Sequence, residues 1–219
     1  MSSQPALHSP RAARTRAALI AAGFDLLVEK PIDAIAIDDL VAKAGVAKGS
    51  FFNHFADKTE FAAAIATEVR MELEGLVTRA NAGVVDPVER IATGMRVGAE
   101  FAITQSKRTT VLLRNHASST ARANPLNRGL LEDIQAAAAA GLLRPEAEES
   151  GVLYWLGLCQ VLMLNLVERK PNRSAASRRV GEMLVLGLTG LGVPARKATE
   201  VARSNASRIR QAGQQPSGR

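Results

Sequence analysis

The 219-residue chain predicts an all-α fold, on three observations. Hydrophobic residues make up 47 % of it and charged ones 22 %, the balance of a globular chain that buries a core. Aromatics reach only 4 %, while alanine, leucine and valine dominate. Alanine and leucine lose little side-chain entropy in a helix. Apolar residues also recur at helical spacing, with proline or glycine at the breaks.

The elements follow in order. Residues 1–10 contain prolines and serines and read as a flexible arm. From Arg11 to Lys30, Ile20, Phe24, Leu27 and Val28 form one apolar stripe, and Pro31 ends the helix by disfavouring the α conformation at Lys30. A short second helix is expected over about Asp38–Ala44, its two aspartates facing the positive end of the dipole. Gly45 suits a left-handed turn residue. A third helix is expected over about Ala47–Phe55. Asp57 then caps a fourth that extends towards Arg79. Asp86 and Pro87 are a cap and a first helical residue. Further helices are expected at about Pro87–Gln105, Thr109–Ala121, Pro125–Ala140, Pro145–Glu168 and Ala175–Leu191.

Three of the six phenylalanines crowd into "KGSFFNHF", residues 48–55. At about 100° per residue, Phe51 and Phe55 share one face and Asn53 centres the opposite one, flanked by Gly49 and Ser50. One face packs; the other is small and polar. Two short helices joined by "AGVA" and backed by the first helix form a helix-turn-helix. A major groove about 12 Å wide admits one such helix. Asn53 could pair with adenine, Ser50 could reach a base or phosphate, and Gly49 permits close approach. Lys48, His54 and Lys58 could hold phosphates, and Phe52 offers apolar contact only. A structural helix pair with a glycine turn remains the alternative at this point.

The stretches "RTRAALIAAGFDLLVEK" and "IDDLVAKAGVAKGSFFNHFADKTEF" resemble the TetR family of one-component transcriptional repressors, over about Arg14–Ala66. The resemblance implies a DNA-binding unit made of the first three helices, with Lys48, Gly49, Ser50, Phe52, Asn53, His54 and Lys58 at its contact positions. Four residues depart from the family pattern. Ala36 and Ala47 stand where capping threonine and serine are usual, Phe52 replaces a tyrosine, and Pro31 a glycine. Phosphate affinity then leans on Lys48, His54, Lys58 and on Arg11, Arg14 and Arg16. The resemblance also implies a double-stranded operator, a homodimer, a small-molecule effector and a cytoplasmic location. The resulting division is 1–10 arm, 11–58 DNA-binding domain, 59–194 ligand-binding and dimerisation domain, and 195–219 basic tail.

In the larger half, "VLYWLGLCQVLMLNLV" (Val152–Val167) is apolar nearly all round and needs partners on more than one side. Gln160 and Asn165 interrupt it, and it is shorter than the roughly 20 residues of a membrane span. With "RRVGEMLVLGLTGL" it is expected to form a C2 dimer, Gly181, Gly187 and Gly190 allowing close helix approach. Phe101, Arg114, His116, Tyr154, Trp155, Gln160 and Met163, polar or aromatic groups among apolar turns, are the expected effector contacts.

Charge locates nothing by itself. The net charge is +7, yet the first 60 residues hold seven bases and seven acids. Much of the excess lies in the last 25 residues. The single cysteine, Cys159, excludes an internal disulfide, and "MSSQPALHSPRAARTR" has no apolar leader segment. No HExxH, GxSxG or P-loop occurs, so no catalytic constellation, metal site or cofactor is expected. A helical dimeric interaction module without sequence-specific DNA binding is the rival function.

Overall fold

A computed structural model describes residues 10–115 and 124–211, which form ten α-helices and two 3₁₀ turns with no strand. The helices are α1 (Pro10–Glu29), α2 (Ile37–Ala44), α3 (Lys48–Phe52), α4 (Lys58–Ala80), α5 (Pro87–Thr104), α6 (Ser106–Arg114), α7 (Arg128–Ala139), α8 (Glu146–Arg169), α9 (Arg173–Gly190) and α10 (Ala195–Gln211). The chain divides into two compact units, residues 1–69 with 110–117, and residues 70–109 with 118–219. The break falls within α4, so the expected boundary at residue 58 is displaced into that helix.

The first unit packs α1, α2, α3 and the start of α4 around Leu19, Leu27, Leu40, Phe51, Phe61 and Ile65, joined by Val111 of α6. Gly23 sets how closely α1 meets α4. A Cβ there would overlap the Phe61 ring and lie 2.9 Å from Ile65 Cδ1. Gly45 has φ 66°, the left-handed conformation expected of it, and closes α2 through its amide on Ala42 and Val41. Asp57 caps α4 by accepting from the Glu60 amide at 2.8 Å, and the Glu60 carboxylate reaches back to the Ala56 amide at 2.6 Å, a capping-box arrangement.

In the second unit α5 is central, packing against α7, α8, α9 and α10. Asp86 caps it through the Val88 amide at 2.9 Å and pairs with Lys197 of α10 at 2.7 Å. Partial desolvation works to raise the Asp86 carboxyl, but Lys197 and the Val88 and Glu89 amides outweigh it and hold the group below its ordinary range. Helix α8 has the length and hydropathy of a membrane span. Its Val152, Trp155, Leu156, Leu162, Met163 and Leu166 are nevertheless buried in the bundle. Gly187 lies against Trp155 and Leu158, and Gly190 against Tyr154. The close approach these glycines permit is therefore made within the chain, between α8 and α9.

Two expectations need revision. Residues 195–211 are a packed helix rather than a tail, because Ala198, Val201, Ala202, Asn205 and Ile209 form a buried stripe that the surrounding arginines conceal in the sequence. Helix α6 begins at Ser106, three residues before the expected start, and the end expected at Ala121 lies outside the described residues.

Candidate nucleic-acid interface and ligand cavity

Helix α3 has only five residues, yet the helical turn continues beyond it. The Asn53 amide donates to the Gly49 carbonyl at 3.2 Å and the Phe55 amide to the Phe51 carbonyl at 3.0 Å. That continuation places Phe51 and Phe55 inward. Their rings meet Phe61 edge-on, with centroids 5.4 and 4.9 Å away. Lys48, Gly49, Phe52 and Asn53 face outward, and Ser50 and His54 are half-buried. No atom lies within 4 Å of where a Cβ on Gly49 would be, so the backbone there is open to approach.

The cations around this face differ in availability. Lys48 pairs with Asp38 at 2.8 Å with both side chains largely exposed, a contact worth little that a phosphate can displace. The Lys58 ammonium is turned inward, donating to the Ile35 carbonyl at 2.9 Å and the Asp33 carbonyl at 3.2 Å. It holds the turn ahead of α2 and is not free for a phosphate. Arg16 bonds Glu68 at 2.9 Å and lies 5.5 Å from the Phe55 ring centroid. Arg11 and Arg14 are exposed on α1.

The second unit encloses a cavity of about 410 Å³ between α4, α5, α7 and α8. Leu73, Val77, Ile91, Leu130, Trp155 and Met163 supply apolar wall. Polar groups interrupt it in pairs. Arg70 meets Glu74 at 2.6 Å, and Arg90 meets Asp133 at 2.5 Å. Burial raises the carboxyls of Glu74 and Asp133 above their ordinary values, against the pull of those arginines. Cys159 also lines the cavity, and burial pushes its thiol up to about 12, so it stays protonated and unreactive at neutral pH.

Of the residues expected to touch an effector, Trp155 and Met163 line this cavity. Phe101 borders a separate cavity of about 600 Å³ beside Arg79, Arg96 and Glu100. Arg114 belongs to the first unit, where its guanidinium caps α1 through the Leu27 and Val28 carbonyls at 3.0 and 3.1 Å. Tyr154 points to α9, its hydroxyl 3.5 Å from the Leu186 carbonyl. Gln160 is half-buried on α8 away from the cavity wall. His116 lies outside the described residues.

Residues 19–65 match the model of bacterial regulatory proteins of the tetR family. The chain carries the TetR-family N-terminal domain. No curated protein matches the sequence. Solved structures share the fold across both units. A protein from Shewanella sp. PV-4, described as a tetR family transcription regulator, aligns with a TM-score of 0.70 at 15 % identity, covering 81 % of this chain and 97 % of its own. A γ-butyrolactone receptor aligns at 0.59 and 20 % identity, covering 93 % and 100 %. AibR, solved with isovaleryl coenzyme A and operator DNA, aligns at 0.55 and 21 % identity, covering 77 % and 97 %.

This TetR-type domain lacks side-chain caps where the sequence departs from its family. Ala36 and Ala47 both take the extended conformation of an N-cap, and neither makes a side-chain cap bond. Ala36→Thr and Ala47→Ser are therefore expected to stabilise the protein by about 1 kcal/mol each, read as a higher urea midpoint at unchanged slope. The cavity residues that sequence reasoning missed carried a signal. Arg70, Leu73, Glu74, Val77, Thr78 and Asn81 recur at i, i+3, i+4, i+7, i+8 and i+11, a single α4 stripe that mixes polar and apolar side chains.

Proposed function

We propose that this TetR-fold regulator is a repressor that binds a palindromic operator as a dimer and is released by a small molecule held in the second unit. The observation that carries the reading is the outward face of α3, where Asn53, Gly49 and Lys48 stand exposed behind an aromatic anchor. An exposed amide on a short helix suits bidentate pairing with adenine, and Lys48, Arg11 and Arg14 suit phosphates.

Dimerisation is supported by an apolar stripe on α8. Leu153, Val161 and Leu164 recur at i, i+8 and i+11 and are 60 %, 63 % and 45 % exposed, and Leu186 of α9 is 65 % exposed. A C2 pairing over this stripe would cover it and present two recognition helices to grooves about 34 Å apart. Sedimentation at micromolar concentration is expected to give a dimer, and replacing Val161 and Leu164 by glutamate is expected to give monomer.

The 410 Å³ cavity falls within the usual 300–1,000 Å³ of small-molecule sites and mixes apolar wall with a few polar groups. The effector would lower DNA affinity only by its differential affinity for the two conformers. Selection of genomic fragments with the purified protein tests the reading as a whole. One enriched palindromic sequence is the expected result, and enrichment without a common sequence would overturn it.

A further inference from the structure

The charges around the cavity of the second unit cancel. Arg70 and Arg90 each face a carboxylate, and each has a further acceptor: Asn127 Oδ1 at 3.1 Å for Arg70, the Asn81 carbonyl at 3.5 Å for Arg90. An entering carboxylate or phosphate would bring an unbalanced charge into a setting already neutral, which burial penalises. An entering cation meets the same penalty.

One polar atom of the wall is left over. Asn81 is 5 % exposed, and its Oδ1 is buried with no hydrogen-bond partner. The orientation of the amide is fixed, because Nδ2 donates to the Arg90 carbonyl at 3.2 Å and the reversed amide would set two oxygens together. An orphaned buried acceptor is costly, and a donor on a bound molecule relieves it. The remaining wall around it, from Leu73 to Trp155 and Met163, is apolar.

We propose that the molecule filling this cavity is uncharged, with an apolar body and a hydroxyl that donates to Asn81 Oδ1. The proposal rests on the reading of the cavity as the effector site. Its size agrees: the cavity is well above the roughly 150 Å³ that holds benzene, so it takes a ring with substituents.

Trp155 is the only tryptophan and lines the cavity, so its emission reports occupancy. Three probes on one skeleton separate the cases: 2-cyclohexylethanol with a donor, 1-cyclohexylpropan-2-one without one, and the anion of cyclohexylacetic acid. The alcohol is expected to shift the emission saturably and to bind at least about fivefold more tightly than either other probe, by less than the tenfold that 1.4 kcal/mol would give. In Asn81→Leu the alcohol and the ketone are expected to bind alike, and Asn81→Ala serves if the leucine variant does not fold. Equal or tighter binding of the ketone or the anion to the native protein overturns the inference and leaves the cavity reading intact. An alcohol preference that survives in both variants overturns it too. Emission that responds to none of the probes overturns the cavity reading and the inference with it.

Discussion

Phe51→Ala is expected to cost about 3–5 kcal/mol of stability and to abolish DNA binding. The reason is the length of α3. Five residues are far too few to hold a helix by propensity, since isolated helices shorter than about 12 residues are marginal in water. Tertiary packing must hold it. Phe51 is fully buried against Phe55 and Phe61, and truncation removes the contact that fixes the recognition face to α4. Its neighbour is the control. Phe52 is 52 % exposed, so Phe52→Ala is expected to change stability by no more than about 0.5 kcal/mol. Urea unfolding followed by far-ultraviolet circular dichroism separates the two. The opposite ranking would mean that the helix is turned the other way.

The second large effect is on salt. Lys48, Arg11 and Arg14 are the exposed bases beside or leading to the recognition face, three per subunit and six per dimer, with Lys58 engaged by backbone carbonyls. Six phosphate contacts place the expected loss of operator affinity between 50 and 200 mM salt at about 10³, the lower end of the range for six to ten. Fluorescence anisotropy with an operator duplex measures it. A flat response would remove phosphate neutralisation from the account. Lys58→Ala is informative beside it. A loss of stability with an unchanged salt slope agrees with its inward role.

How far the sequence carried depended on which force fixes each feature. Helices with strong local signals were legible. Asp86–Pro87 marks the start of α5, Gly45 the end of α2, and the Phe51/Phe55 spacing the phase of α3. Each is dictated by the residue itself or its near neighbours. The cavity was not legible, because its wall is assembled from four helices distant in sequence. Arg90 and Asp133 are 43 residues apart, and nothing local pairs them. Arg114 shows the converse error. An arginine on an otherwise apolar helix suggests a ligand, but the same side chain serves a helix end 86 residues earlier. Helix α10 was concealed by its charge, which masks a buried stripe of small residues and one isoleucine. Gly23 was passed over, since close approach to Phe61 becomes visible only when α1 and α4 are set side by side.

The central claim is that the outward amide of α3 reads a base edge, and Asn53→Ala on a selected operator tests it most directly. Affinities of the native and substituted proteins are compared on that operator, on each single-base variant of it, and on unrelated DNA. The expected outcome is a loss of about 1–3 kcal/mol of preference at one base pair in each half-site, with binding to unrelated DNA nearly unchanged. Weakening that is uniform over every sequence would contradict it and leave Asn53 touching the sugar-phosphate backbone alone.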